Sequence, residues 1–67
     1  MIKIPDFTKY EIDFIKENAN FTKQEAQLFD LRNDEYNLDC CAEIMNVSIS
    51  TVKRINHKMK MKIIKII

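Results

Sequence analysis

Three groups of side chains in this 67-residue chain have the types and spacing to do chemistry. The carboxylates Glu11, Asp13 and Glu17 could in principle move protons. They are not accompanied by a Ser/His/Asp set, and the chain contains no glycine from which to build a phosphate-cradling loop. Carboxylates at this spacing are the solvated face of a helix, so no enzyme is expected. The second group is Cys40, Cys41 and His57. Adjacent residues on a helix point about 100° apart, so the two thiols cannot form a relaxed bridge. Metal sites need spaced thiols with histidine, which His57 alone does not supply. One core thiol and one half-exposed thiol are expected, with no metal and no cofactor. The third group is basic: Lys53, Arg54, Lys58, Lys60, Lys62 and Lys65, all after Ser48.

The formal net charge of +1 conceals an asymmetry along the chain. Residues 38–67 carry those six basic side chains against Asp39 and Glu43, a net of +4. Residues 1–37 carry five basic side chains against eight acidic ones, a net of −3. A basic terminal segment beside an acidic body is the electrostatic footprint of a protein with a polyanionic partner.

The elements that position these groups are helices. The 46% apolar and 31% charged composition is that of a folded globule, and the length allows one domain, residues 1–67. A chain this short buries only about 60% of the surface that its unfolded form exposes, too little for a deep catalytic cleft. No apolar run reaches membrane-spanning length, and the N-terminal residues lack a signal peptide's apolar core, so a cytoplasmic protein without membrane contact is expected. The only proline is Pro5, and strand signals are weak. The expected fold class is therefore all-α, a small bundle of about four helices.

Their starts are written in capping chemistry. Thr8 with Glu11 and Thr22 with Glu25 form capping boxes, preceded by Phe7 and Phe21 at staple positions opposite Ile12 and Ala26. Asn37 and Ser48 are further N-caps. Helices follow at about 8–18, 22–33, 38–45 and 49–65, the first an extra N-terminal helix. Their inward faces carry Ile12, Phe14 and Ile15; Ala26, Leu28, Phe29 and Leu31; Leu38, Cys41, Ala42, Ile44 and Met45; and Ile49, Val52, Ile55, Met59 and Ile63. The Lys/Met alternation of the tail also fits a strand, but both residues form helices well and the apolar stripe continues through it.

The stretch at about 38–60 has the grammar of a helix-turn-helix. Ala42 is small where two short helices must cross closely. Asn46 tolerates the left-handed conformation that the turn needs. Val47 points inward from the turn, Ser48 caps the next helix, and Ile49, Val52 and Ile55 lock that helix to the scaffold.

These residues resemble the LuxR/GerE-type helix-turn-helix domain. Thr22 and Glu25 stand where that family has its Thr and Glu, and Leu28, Phe29 and Leu31 at its apolar positions. Ala42 falls at the family's Ala. Val47, Ser48, Thr51, Val52 and Lys53 fit its I-S-x-x-T-V-K signature, and Lys62-Ile63 its closing K-L. Residues 21–63 are covered. Region 4 of bacterial sigma factors and small prophage-type regulators are similar. Cys41 departs from the family's usual Ile, and Ile55 stands where its members often have His. The family's further dimer-forming helix has no counterpart, so its mode of dimerisation is not carried over.

The resemblance implies a sequence-specific transcriptional regulator that inserts the helix starting at Ile49 into the major groove of double-stranded DNA. On that helix, the face opposite the apolar stripe carries Ser50, Arg54 and His57, flanked by Thr51, Lys53 and Lys58. The planar fork of Arg54 matches guanine O6 and N7. Ser48, Ser50 and Thr51 can donate to phosphates or bases, and Lys53, Lys58 and Lys60 hold phosphates. His57 is a weaker contact. Asn37 stands where a helix N-terminus could meet a phosphate, although capping alone explains it. The alternative is a sigma-region-4-like interaction module that contacts RNA polymerase or another regulator; a small DNA-handling protein is a third possibility. Met61, Ile64 and Ile67 lie off the core stripe and offer a homodimer interface through the C-terminal tail. The first helix competes to cover it.

Overall fold

A computed structural model describes residues 7–66 as four helices: α1 (Lys9–Asn18), α2 (Lys23–Asn33), α3 (Leu38–Met45) and α4 (Ile49–Ile66). The tail is helical, so the strand alternative is not realised among the described residues; Ile67, assigned to the tail interface, lies outside them.

Each helix starts where a side chain replaces missing backbone partners. Both capping boxes form. The Thr8 oxygen accepts from the Glu11 amide at 3.2 Å while the Glu11 carboxylate accepts from the Thr8 amide at 2.9 Å. Thr22 and Glu25 repeat this at 3.2 and 2.8 Å. The Asn37 side chain accepts from the Cys40 amide at 2.8 Å, and Ser48 Oγ from the Thr51 amide at 3.2 Å.

The helix ends are as informative, because a chain without glycine must still turn. Asn20, Glu35 and Asn46 adopt positive φ of 55°, 68° and 58°. At Asn46 the arrangement is a Schellman motif. The Asn46 amide donates to the Glu43 carbonyl at 3.1 Å and the Val47 amide to the Ala42 carbonyl at 3.0 Å. Glu35 closes α2 in the same way, with its amide on Arg32 and the Tyr36 amide on Leu31. Asparagine tolerates this conformation, whereas glutamate there is strained.

One core joins all four helices. Ile15 and Ala19 come from α1 and its cap, Leu28 and Phe29 from α2, Cys41 and Ala42 from α3, and Val52, Ile55, Met59 and Ile63 from α4. α4 packs against each of the other three helices. The Phe21 ring lies 5.3 Å from that of Phe29, so this staple residue reaches deeper into α2 than Ala26. Val47 packs against the core from the turn.

Three residues expected on inward faces are exposed instead: Phe14, Ile44 and Ile49. On the eight-residue α3, Cys41, Ala42 and Met45 occupy the inward arc, which turns Ile44 outward. Ile49 begins α4, where no preceding turn covers it. On α1 the inward arc is filled by Ile12, Ile15 and Ala19, leaving Phe14 on a flank.

An ion pair ties α4 to the start of α2. Lys62 Nζ donates to the Glu25 carboxylate and, at 3.2 Å, to the Asn20 carbonyl. One α4 side chain thus holds both the turn before α2 and its capping box. Burial pushes the Glu25 carboxyl upward, but the hydrogen bonds from Lys62 and Thr22 and the Lys62 charge outweigh it. Its pKa lies below the ordinary value.

Candidate nucleic-acid interface

α3, the turn at 46–48 and α4 form a helix, tight turn and helix in which Ala42 is buried. Its small side chain lies on the face that α3 presents to the core. The left-handed Asn46 reverses the chain, and Ser48 starts α4 two residues later.

At 1.5 Å per residue, the 18 residues of α4 span about 27 Å. Val52, Ile55, Met59 and Ile63 fix its inward direction. Steps of 100° then place Ser50, His57 and Arg54 on the outward arc, with Lys53 and Lys60 on one flank and Lys58 and Lys65 on the other. Ser50, Lys53, Arg54, His57, Lys58 and Lys65 are exposed; Thr51 and Lys60 are half-buried. Among the described residues, the salt bridges are Lys16 with Asp30 and Lys62 with Glu25, and neither uses a cation from the first half of α4. A central fork between two cationic edges fits a groove bordered by two phosphate strands.

The hydroxyls of the first turn are not equivalent. Ser48 Oγ donates its only proton to Thr51 Oγ1 at 2.9 Å and accepts from the Thr51 amide. Ser48 thus serves as the N-cap of α4 and remains exposed, and the half-buried Thr51 hydroxyl shares its hydrogen bond. Ser50 is exposed beside it. Asn37 is used as a cap.

Two further features concern basic side chains whose roles were not legible in sequence. Lys65 lies on the same flank as Lys58, two turns further on. Lys62, which counts toward the basic segment by charge, is consumed within the fold by Glu25. Only long-range pairing distinguishes it from its neighbours. The exposed carboxylates Asp39 and Glu43 of α3 are the acidic side chains within this half.

Cys41 is buried and Cys40 exposed, both as free thiols. Burial pushes the Cys41 thiol up, Arg32 pulls it down and Cys40 adds to the rise; the net shift is upward, which keeps the thiol protonated and inert. Among the described residues, no group of three or more His, Cys, Asp or Glu side chains is placed to hold a metal ion. No described helix is long and apolar enough to cross a membrane. A shallow open depression of about 280 Å³ on α1 is lined by Lys9, Tyr10 and Asp13. No family model, curated protein or solved structure matches the chain.

Proposed function

We propose that this protein is a sequence-specific double-stranded DNA-binding protein, a transcriptional regulator acting by binding rather than catalysis. The N-terminal half of α4 enters the major groove. The observation that carries this function is the outward face of α4, where Arg54, Ser50 and His57 lie between Lys53 and Lys58, exposed and without a salt bridge among the described residues. Arg54 reads a guanine through its bidentate fork. Lys53, Lys58 and Lys60 hold phosphates and set register. Thr51 and Ser50 donate from the first turn. The resemblance of residues 21–63 to LuxR/GerE-type domains supports the same function.

A single recognition helix contacts about half a turn of groove, so two copies, placing two such helices about 34 Å apart, would raise specificity. The exposed Met61 and Ile64 favour self-association through the tail of α4. A sigma-region-4-like contact with RNA polymerase or another regulator would use the acidic first half or this apolar tail. Selection of bound sequences from a random duplex library tests the function. One enriched motif is the expected result, and its symmetry reports whether one or two copies bind. Recovery of no enriched sequence would contradict sequence-specific recognition.

A further inference from the structure

Ile49 is the first residue of α4, immediately after the capping Ser48. It is more than a third exposed, at 36%, although its type and its spacing to Val52 belong to the core stripe. Core positions further along that stripe leave little of this kind: Val52 is 0% and Ile55 8% exposed. The difference is positional. A helical side chain leans toward the N-terminus, and at the first position there is no earlier turn to lean against. The Ile49 side chain therefore projects past the tip of α4 on the flank of Lys53, which follows one turn later.

An aliphatic side chain cannot satisfy a hydrogen-bonding base edge, and leaving it against water forgoes the stabilisation of burial. In the major groove, the apolar feature that such a side chain can cover is the C5-methyl group of thymine. We infer that Ile49 is a specificity-determining residue that selects thymine by packing on its methyl group, one turn ahead of the Lys53 phosphate contact. This inference rests on the DNA-binding function proposed above. It adds an apolar preference for one base pair to the guanine preference assigned to Arg54.

The test removes apolar carbon from each side of the contact in turn. Duplexes carrying the selected sequence are compared with duplexes in which each thymine in turn is replaced by deoxyuridine, which differs only at C5. Wild-type protein should lose about fourfold in affinity at one thymine position, the worth of roughly one buried methyl group. Ile49→Ala should bind the thymine duplex more weakly by a similar or larger factor and should not distinguish thymine from deoxyuridine there. Ile49→Val should fall between them. Ile49 is 36% exposed, so its truncation also removes some burial within the chain; the ratio of thymine to deoxyuridine binding, taken within each protein, separates contact from any change in folding stability. Wild-type binding that is indifferent to deoxyuridine at every position overturns the role of Ile49 while leaving DNA binding intact. So does an Ile49→Ala protein that still senses the methyl group. Failure of the wild-type chain to bind any duplex overturns the parent function and this inference together.

Discussion

The cations of α1 and α2 and those of α4 have the same chemistry and a different arrangement. Lys16 pairs with Asp30 at 2.9 Å, and Arg32 donates to the Tyr36 carbonyl at 2.8 Å; Lys9 and Lys23 stay exposed at helix starts. At the far end of α4, Lys62 closes the bundle on Glu25. Along the first half of α4, Lys53, Arg54 and Lys58 line an exposed face with no such pairing among the described residues. Net charge by itself therefore does not identify a binding surface. Lys9 and Lys23 are also left unpaired among the described residues, but each stands alone at the start of its own helix; what sets α4 apart is that its unpaired cations follow one another along one face, and in the basic segment Lys62 drops out of the count.

This division predicts that substitutions separate into those that move stability and those that move binding. The largest effect on stability is expected at Ala42, which is 6% exposed on the inward face of α3. Ala42→Leu overpacks the core, at a cost of about 1–3 kcal/mol. Melting should fall by at least several degrees, since 1 kcal/mol corresponds to about 4–8 °C in a domain of this size. Unchanged melting would show that α3 does not pack closely at this residue.

Arg54→Ala should leave melting unchanged and weaken specific binding by about 1–3 kcal/mol, with relaxed preference at one base position. Lys58→Ala should weaken binding to all sequences by similar amounts. If both substitutions act uniformly across sequences, Arg54 holds a phosphate and the contrast between reader and anchor fails.

Lys62→Met is the converse of Arg54→Ala. It strands the buried Glu25 carboxylate, and because the lysine side chain is itself 32% exposed the cost is set at about 1–2 kcal/mol rather than that of a fully buried pair. The pH dependence follows from the lowered Glu25 pKa. The stabilisation is present above the ordinary glutamate value of about 4.3 and is lost as pH falls through the lower folded value. The gap in stability between wild type and Lys62→Met should therefore narrow in acid. A gap independent of pH would assign the loss to packing of the lysine stem instead.

The smallest effect is expected at Glu35, whose φ of 68° strains a residue with a Cβ. Glu35→Gly should stabilise the domain by up to about 1 kcal/mol, because glycine relieves that strain but enlarges the unfolded ensemble. Denaturant unfolding would detect it, and a loss of stability would mean that the glutamate side chain makes a compensating interaction.

Most of the fold was legible because its determinants are local. Thr8 with Glu11, Thr22 with Glu25, Asn37 and Ser48 announce helix starts within four residues of the partners they satisfy, and Asn46 announces the turn. What escaped is non-local or geometrically degenerate. Glu25 and Lys62 lie 37 residues apart, and nothing in the sequence separates Lys62 from Lys60 or Lys65. The eight residues of α3 offer apolar side chains on most of their circumference, so periodicity could not say that Cys41 turns in and Ile44 out. Ile49 obeys the stripe but lacks the preceding turn that would bury it. For the interface, the helical period was enough to group Ser50, Arg54 and His57, whereas the loss of Lys62 to Glu25 depends on a tertiary contact that spacing does not encode.

The central claim, that the exposed cations of α4 serve a polyanion, is tested most directly by the salt dependence of binding to duplex DNA. If about four of the basic residues after Ser48 neutralise phosphates, log K should fall against log salt with a slope near −3.6 per copy of the chain. Lys62→Met should keep that slope, and Lys58→Ala should reduce its magnitude by about 0.9. A slope near zero for the wild-type chain would contradict the account.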